Sequence, residues 1–210
     1  MRSLRRRENS IKKVLSIGLL LLLALGFVSC AANENRIIPI GAVISPNGKY
    51  ALSANVQEDM EDSKGTLYSV REAMLFDTDT NTLICTFPIT GRDFSFLWNP
   101  DSRFAVVIYS GRIWTAYSVL DTLSHTQADG LTMQQIIDEF SKSSAAFSYT
   151  CDSNRPDPQI YPFDWSPDGK SLSVAYQWVD TEGYRQSGTF NYRLFDGIFS
   201  DLIQNAPITG

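Results

Sequence analysis

The chain has 210 residues, of which 18 are Lys or Arg and 23 are Asp or Glu, with one histidine and three cysteines. Six basic residues and one acid fall in the first 29 positions, so residues 30–210 carry 12 basic against 22 acidic groups. That balance argues against a nucleic-acid partner, whose affinity comes largely from Lys and Arg neutralising phosphates, and a remainder of this length suits one domain with a proper core.

At the N-terminus, Arg2, Arg5, Arg6, Arg7, Lys12 and Lys13 precede an uncharged, Leu-rich run over residues 14–28 that ends at Ser29-Cys30. A basic segment, a short apolar core and a small residue in that order make a secretory signal. The segment Phe27-Val28-Ser29-Cys30 resembles a bacterial lipobox, with Phe27 standing where the motif usually has Leu. The resemblance implies a lipoprotein: residues 1–29 a removed signal peptide, Cys30 the lipidated first residue, residues 30–36 a short tether and residues 37–210 the exported domain. The partner it implies is the membrane, reached through the lipid, with the body on the extracytoplasmic face. An uncleaved anchor is the alternative, because residues 14–32 are uncharged and approach the roughly 20 residues that span a bilayer. The basic flank keeps its own end in the cytoplasm, so the body is exported under either reading.

Three segments of the body look alike: Ile44-Ser45-Pro46-Asn47-Gly48-Lys49-Tyr50, Trp98-Asn99-Pro100-Asp101-Ser102-Arg103-Phe104 and Trp165-Ser166-Pro167-Asp168-Gly169-Lys170-Ser171. Each lies between an apolar strand and an alternating one. Proline pre-sets φ for a tight turn, Asn or Asp tolerates the next position, and Gly takes the place where a Cβ is costly. Ser102 replaces that Gly in the second copy, which predicts strain there. Downstream of each lies a second turn signal, Leu75-Phe76-Asp77, Val119-Leu120-Asp121 and Leu194-Phe195-Asp196. Residues 83–87 and 198–203 then close the first and third units as short apolar strands. Self-similarity on this scale marks a repeat architecture.

Trp-Ser-Pro-Asp-Gly-Lys followed by an alternating strand and a later apolar-Asp turn resembles the WD-repeat-like blades of TolB-type β-propellers. The resemblance covers roughly residues 37–203 and implies an all-β fold: a partial, about three-blade, β-propeller-like array of four-stranded antiparallel sheets. A β-sandwich reusing Pro-Asp-Gly turns is the alternative. Propellers have four to eight blades, so three wedges leave open edges for a helix, another cell-envelope protein or a second copy to cover.

Residues 123–160 read as an insertion holding the one helix of the body. Thr132 and Gln135 make a capping box, Leu131 and Ile136 a hydrophobic staple, and Met133, Ile136, Ile137 and Phe140 share a face expected to dock on a sheet. Polar hairpin insertions are expected at residues 57–65 and 180–187. Cys85 and Cys151 remain in the body; export permits a disulfide between them, and two buried thiols are the alternative.

Chemistry is sparse. His125 alone must serve any Ser-His-Asp or Cys-His mechanism, and its polar surroundings read as a loop. One histidine and two distant cysteines make no zinc site, and no GxGxxG or Walker sequence offers a nucleotide cofactor site. Glu58, Asp59, Glu61 and Asp62 lack the spacing of a calcium loop, and Asp93, Asp101, Asp164 and Asp168 lie at strand ends where Asp supports turns. We therefore expect no catalytic residue, metal or cofactor, and a noncatalytic interaction scaffold anchored by lipid. The alternatives are a surface protein that captures or senses a glycan, and a carboxylate-dependent hydrolase. Trp114, Trp178 and Tyr176 are the candidate contact residues, because aromatics with a polar edge are enriched at interfaces.

Overall fold

A computed structural model describes residues 37–62, 65–143 and 150–209. The leader, Cys30 and the tether lie outside the described residues, and no helix among those residues is long and apolar enough to cross a membrane. The chain is mostly β. Its first four strands, β1 (Val43–Ile44), β2 (Tyr50–Asp62), β3 (Gly65–Asp77) and β4 (Thr82–Gly91), pair in sequence order as an antiparallel meander. The next four, β5 (Asp93–Trp98), β6 (Phe104–Ser110), β7 (Thr115–Asp121) and β8 (Thr126–Asp129), repeat the pattern. After helix α1 (Met133–Ser143), β9 (Gln159–Trp165), β10 (Ser171–Val179), β11 (Tyr184–Arg193) and β12 (Ile198–Gln204) form a third meander, with β13 (Ile208–Thr209) added to β11. One parallel pair, Thr115 with Gln159, joins the second and third meanders into a nine-stranded sheet. Neither sheet closes on itself.

The three proline turns are equivalent atom for atom. In each, the residue before Pro donates its amide to the first residue of the following strand: Ser45 to Tyr50, Asn99 to Phe104, Ser166 to Ser171. Its carbonyl accepts from Gly48, Ser102 or Gly169, and those three residues share a positive φ of 74°, 65° and 68°. The expected strain at Ser102 is therefore real, and it is offset: Ser102 Oγ accepts from the Asn47 amide at 2.9 Å. Removing that bond while keeping the Cβ is worse than removing both. Ser102→Ala is expected to lose about 1–2 kcal/mol and Ser102→Gly less than 1, measured by urea unfolding.

The second turns also coincide. Asn81, His125 and Gly197 all adopt positive φ, at 56°, 56° and 66°. His125 is thus the left-handed residue of a hairpin turn, a conformation in which Asn, Asp and His are enriched. In the third copy the strand register places Arg193, not Asp196, opposite Ser171, so the apolar-Asp signal there is offset from Asp77 and Asp121. The expected insertion is also shorter than residues 123–160, because Thr126–Asp129 forms the fourth strand of the second meander.

The meanders stack face to face. Leu52, Leu75, Cys85 and Phe87 of the first pack on Ala105, Val107 and Leu120 of the second, whose opposite face sends Val106 and Tyr117 toward Trp165, Leu172 and Val174 of the third. Equivalent bonds repeat between neighbours: Trp98 Nε1 donates to Val43 O at 3.0 Å, and Trp165 Nε1 to Leu97 O at 3.2 Å. Buried Asn99 also donates to Gly169 O at 2.6 Å, where a Cβ on Gly169 would meet the same amide at 2.6 Å.

The two ends of the stack are finished differently. Segment 37–42 lays Ile38 and Ala42 over Ala51, Met74 and Phe76 on the outer face of the first sheet. On the third, Ser173 and Asn191 occupy the places that Leu52 and Val106, with their partners Leu75 and Val119, fill inside the stack. Ser173 Oγ donates to Asn191 Oδ1 at 2.9 Å, and Asn191 Nδ2 to Asp201 at 2.9 Å.

Helix α1 begins as expected: the Thr132 amide donates to Gln135 Oε1 at 2.8 Å, and the Gln135 amide to Thr132 Oγ1 at 3.3 Å. Its apolar face enters the gap between the second and third meanders, where Ile136, Ile137 and Phe140 join the same core as Tyr117 and Tyr176.

Candidate functional site

Beside α1, the second and third meanders part to leave a cleft of about 440 Å³. Its walls are Phe104, Tyr117, Val119 and Ala128 on one side and Tyr192, Leu194 and Phe195 on the other, with Gly130 and Leu131 at the approach to the helix. Register explains the set: Val119 pairs with Ala128 and Asp121 with Thr126, so these side chains share the face turned toward the third meander. Gly130 is required where it stands, because a Cβ would meet the Tyr117 carbonyl at 2.5 Å and its ring at 2.7 Å. Phe104 and Phe195 meet edge to face with centroids 5.4 Å apart.

The charged residues of the lining are Arg103, Asp121 and Asp129. Arg103 reaches Asp121 at 3.3 Å and lies over the Phe104 ring at 4.8 Å. Two phenols are the neutral polar groups inside. Tyr117 is buried, and its hydroxyl, with the Leu131 amide beside it, finds no acceptor among the described residues; Tyr192 is half-buried. Burial pushes the Tyr117 phenol well above the ordinary tyrosine range, with the Leu131 amide opposing and Tyr192 reinforcing the shift. Burial also raises Tyr192, and the Asp196 carboxylate adds to it. Both are therefore neutral donors at any physiological pH.

The residues singled out from the sequence lie elsewhere. Tyr176 and Trp178 do not reach a surface: they are 2% and 0% exposed and stack at 4.8 Å inside the core. They alternate with Ser173, Ala175 and Gln177 along β10, and the face that carries them is the one turned to the second meander. Trp114 folds back over Gly111 at the β6–β7 hairpin and meets Tyr109 edge to face at 6.0 Å, away from the cleft. Cys85 and Cys151 are not bridged. Cys85 packs between the first and second meanders and Cys151 against the core beyond the second, so a whole sheet separates them. Among the described residues, no group of three His, Cys, Asp or Glu is placed to hold a metal ion.

No family model and no curated protein matches the chain. Among solved structures it is similar to Kuenenia stuttgartiensis hydrazine synthase at 16% identity and a TM-score of 0.39, over 86% of this chain and 53% of that one. The chain thus spans about half the length of that protein's chain.

Sequence reasoning missed Phe104, Tyr192 and Phe195. One signal for them was present: an aromatic residue, Phe195, inside a turn, where it is 64% exposed. A second lay in Gly130, a glycine between a strand and a helix cap.

Proposed function

We propose that this chain is a noncatalytic ligand-capture protein, held by lipid on Cys30 at the extracytoplasmic face of the cell membrane, whose body is a three-blade, propeller-like stack. The observation that carries the binding role is the cleft between the second and third meanders. It has the size and apolar lining of small-molecule sites, with a few convergent polar groups. No side chain in it is a nucleophile beside a base, and His125 is committed to a turn. Equivalent turns and the repeated Trp-to-carbonyl bonds support the blade reading.

A protein-interaction scaffold is the second reading, and one observation favours it. Tyr161 and Ile203 lie in a single row across the third meander's outer face, 43% and 61% exposed, with Phe163 nearby. Native mass spectrometry of the full-length protein extracted from its own envelope separates the two. A small retained mass on the wild type that is absent from Ala128→Trp, which fills the cleft mouth, supports ligand capture. No small mass on either protein counts against it.

A further inference from the structure

We infer that the cleft takes a small, uncharged aromatic ligand bearing a hydrogen-bond acceptor. This rests on the cleft being the binding site. The walls supply Phe104 and Phe195 at 5.4 Å, with Tyr117 and Tyr192 nearby, so a flat ring has aromatic faces and edges to meet. A volume of about 440 Å³ leaves room for one or two rings rather than an extended chain.

The charged lining residues, Arg103 against Asp121 and Asp129, discriminate against an anion. Arg103 is already neutralised by Asp121 and covered on one side by Phe104. An anion would have to displace Asp121 and would meet Asp129, the other carboxylate on the lining; a quaternary cation would find Asp129 but brings no acceptor to the phenols. Desolvating an ion without a partner is costly.

The two phenols supply the remaining specificity. A buried hydroxyl without an acceptor needs an explanation, and Tyr117 is one; half-buried Tyr192 lines the same space. Each is a donor in search of an acceptor such as a carbonyl or ether oxygen. Ser124 and Thr126, hydroxyls at the rim, are the other neutral polar groups there.

Three probes of similar size and different charge test this on the full chain in detergent: 4-fluoroacetophenone, 4-fluorobenzoate and 4-fluorobenzyltrimethylammonium, followed by ¹⁹F NMR. Ala128→Trp gives the baseline for partition into micelles, with Thr126→Trp as a second filled variant. The expected result is saturable binding of the ketone at least ten-fold tighter than either ion, lost in both filled variants. Tyr192→Phe, which removes one oxygen, is expected to weaken the ketone about five-fold and to leave 1-ethyl-4-fluorobenzene unchanged. Tighter binding of either ion, lost in the filled variants, overturns the ligand class while the cleft remains the site. No difference between wild type and the filled variants for any probe overturns the cleft itself.

Discussion

Replacing Phe140 with alanine is expected to remove about 3–5 kcal/mol of stability and to lower the melting temperature by roughly 10 °C for a domain of this size. Phe140 is 2% exposed and meets Tyr176 and Phe190 at 5.6 Å and Phe199 at 6.2 Å. Those rings belong to the third meander, while Ile136 and Ile137 on the same helix share the core with Tyr117 of the second. The helix is therefore a wedge between two sheets, and losing its central ring leaves a void that neither sheet can fill without moving. Lys142, exposed and paired with Glu139 at 2.8 Å one turn away, is the contrasting site; Lys142→Ala is expected to stay within about 0.5 kcal/mol. Calorimetric unfolding checks both. A Phe140→Ala loss below about 1 kcal/mol would show that α1 does not hold the gap open.

Cys30→Ala carries the largest expected effect on location. On the proposed lipidation, acyl chains on Cys30 would contribute membrane affinity at about 0.8 kcal/mol per buried CH₂, and two chains anchor stably. Without it, no lipid is attached and the leader is retained, so the extracted protein has a higher apparent mass. Mass spectrometry of detergent extracts reads the difference directly. Equal masses for wild type and variant would reject lipidation and leave residues 14–32 as a spanning anchor.

Much of the stack was legible in the sequence because its turns are locally encoded. Pro46, Pro100 and Pro167 pre-set one backbone angle, and Gly48 and Gly169 mark the left-handed position, so the turns could be aligned before any contact was known. Ser102 was legible as an oddity; its compensation by Asn47, 55 residues away, was not, because it depends on how two meanders face each other. The capping box at Thr132 and Gln135 was likewise local and correctly placed.

Three features needed the third dimension. Tyr176 and Trp178 look like contact aromatics on an alternating strand, and alternation alone does not say whether their face meets water or a neighbouring sheet. The offset of Asp196 from Asp77 and Asp121 follows from strand register, which composition does not reveal. The open ends of a three-unit array looked like sites for a partner. One end carries segment 37–42, and the other places Ser173 and Asn191 beside exposed Tyr161 and Ile203. The cleft was hidden for the same reason: its walls come from β6, β7, β8 and β11, far apart in the chain.

The most direct test places a photoreactive benzoylphenylalanine at Ser124, on the rim of the cleft, or at Tyr161, on the outer face of the third meander, and irradiates intact cells. Capture of a ligand in the cleft is expected to give a small added mass from position 124 and little from position 161. A protein-sized adduct from position 161, with none from position 124, would contradict ligand capture and point to a scaffold.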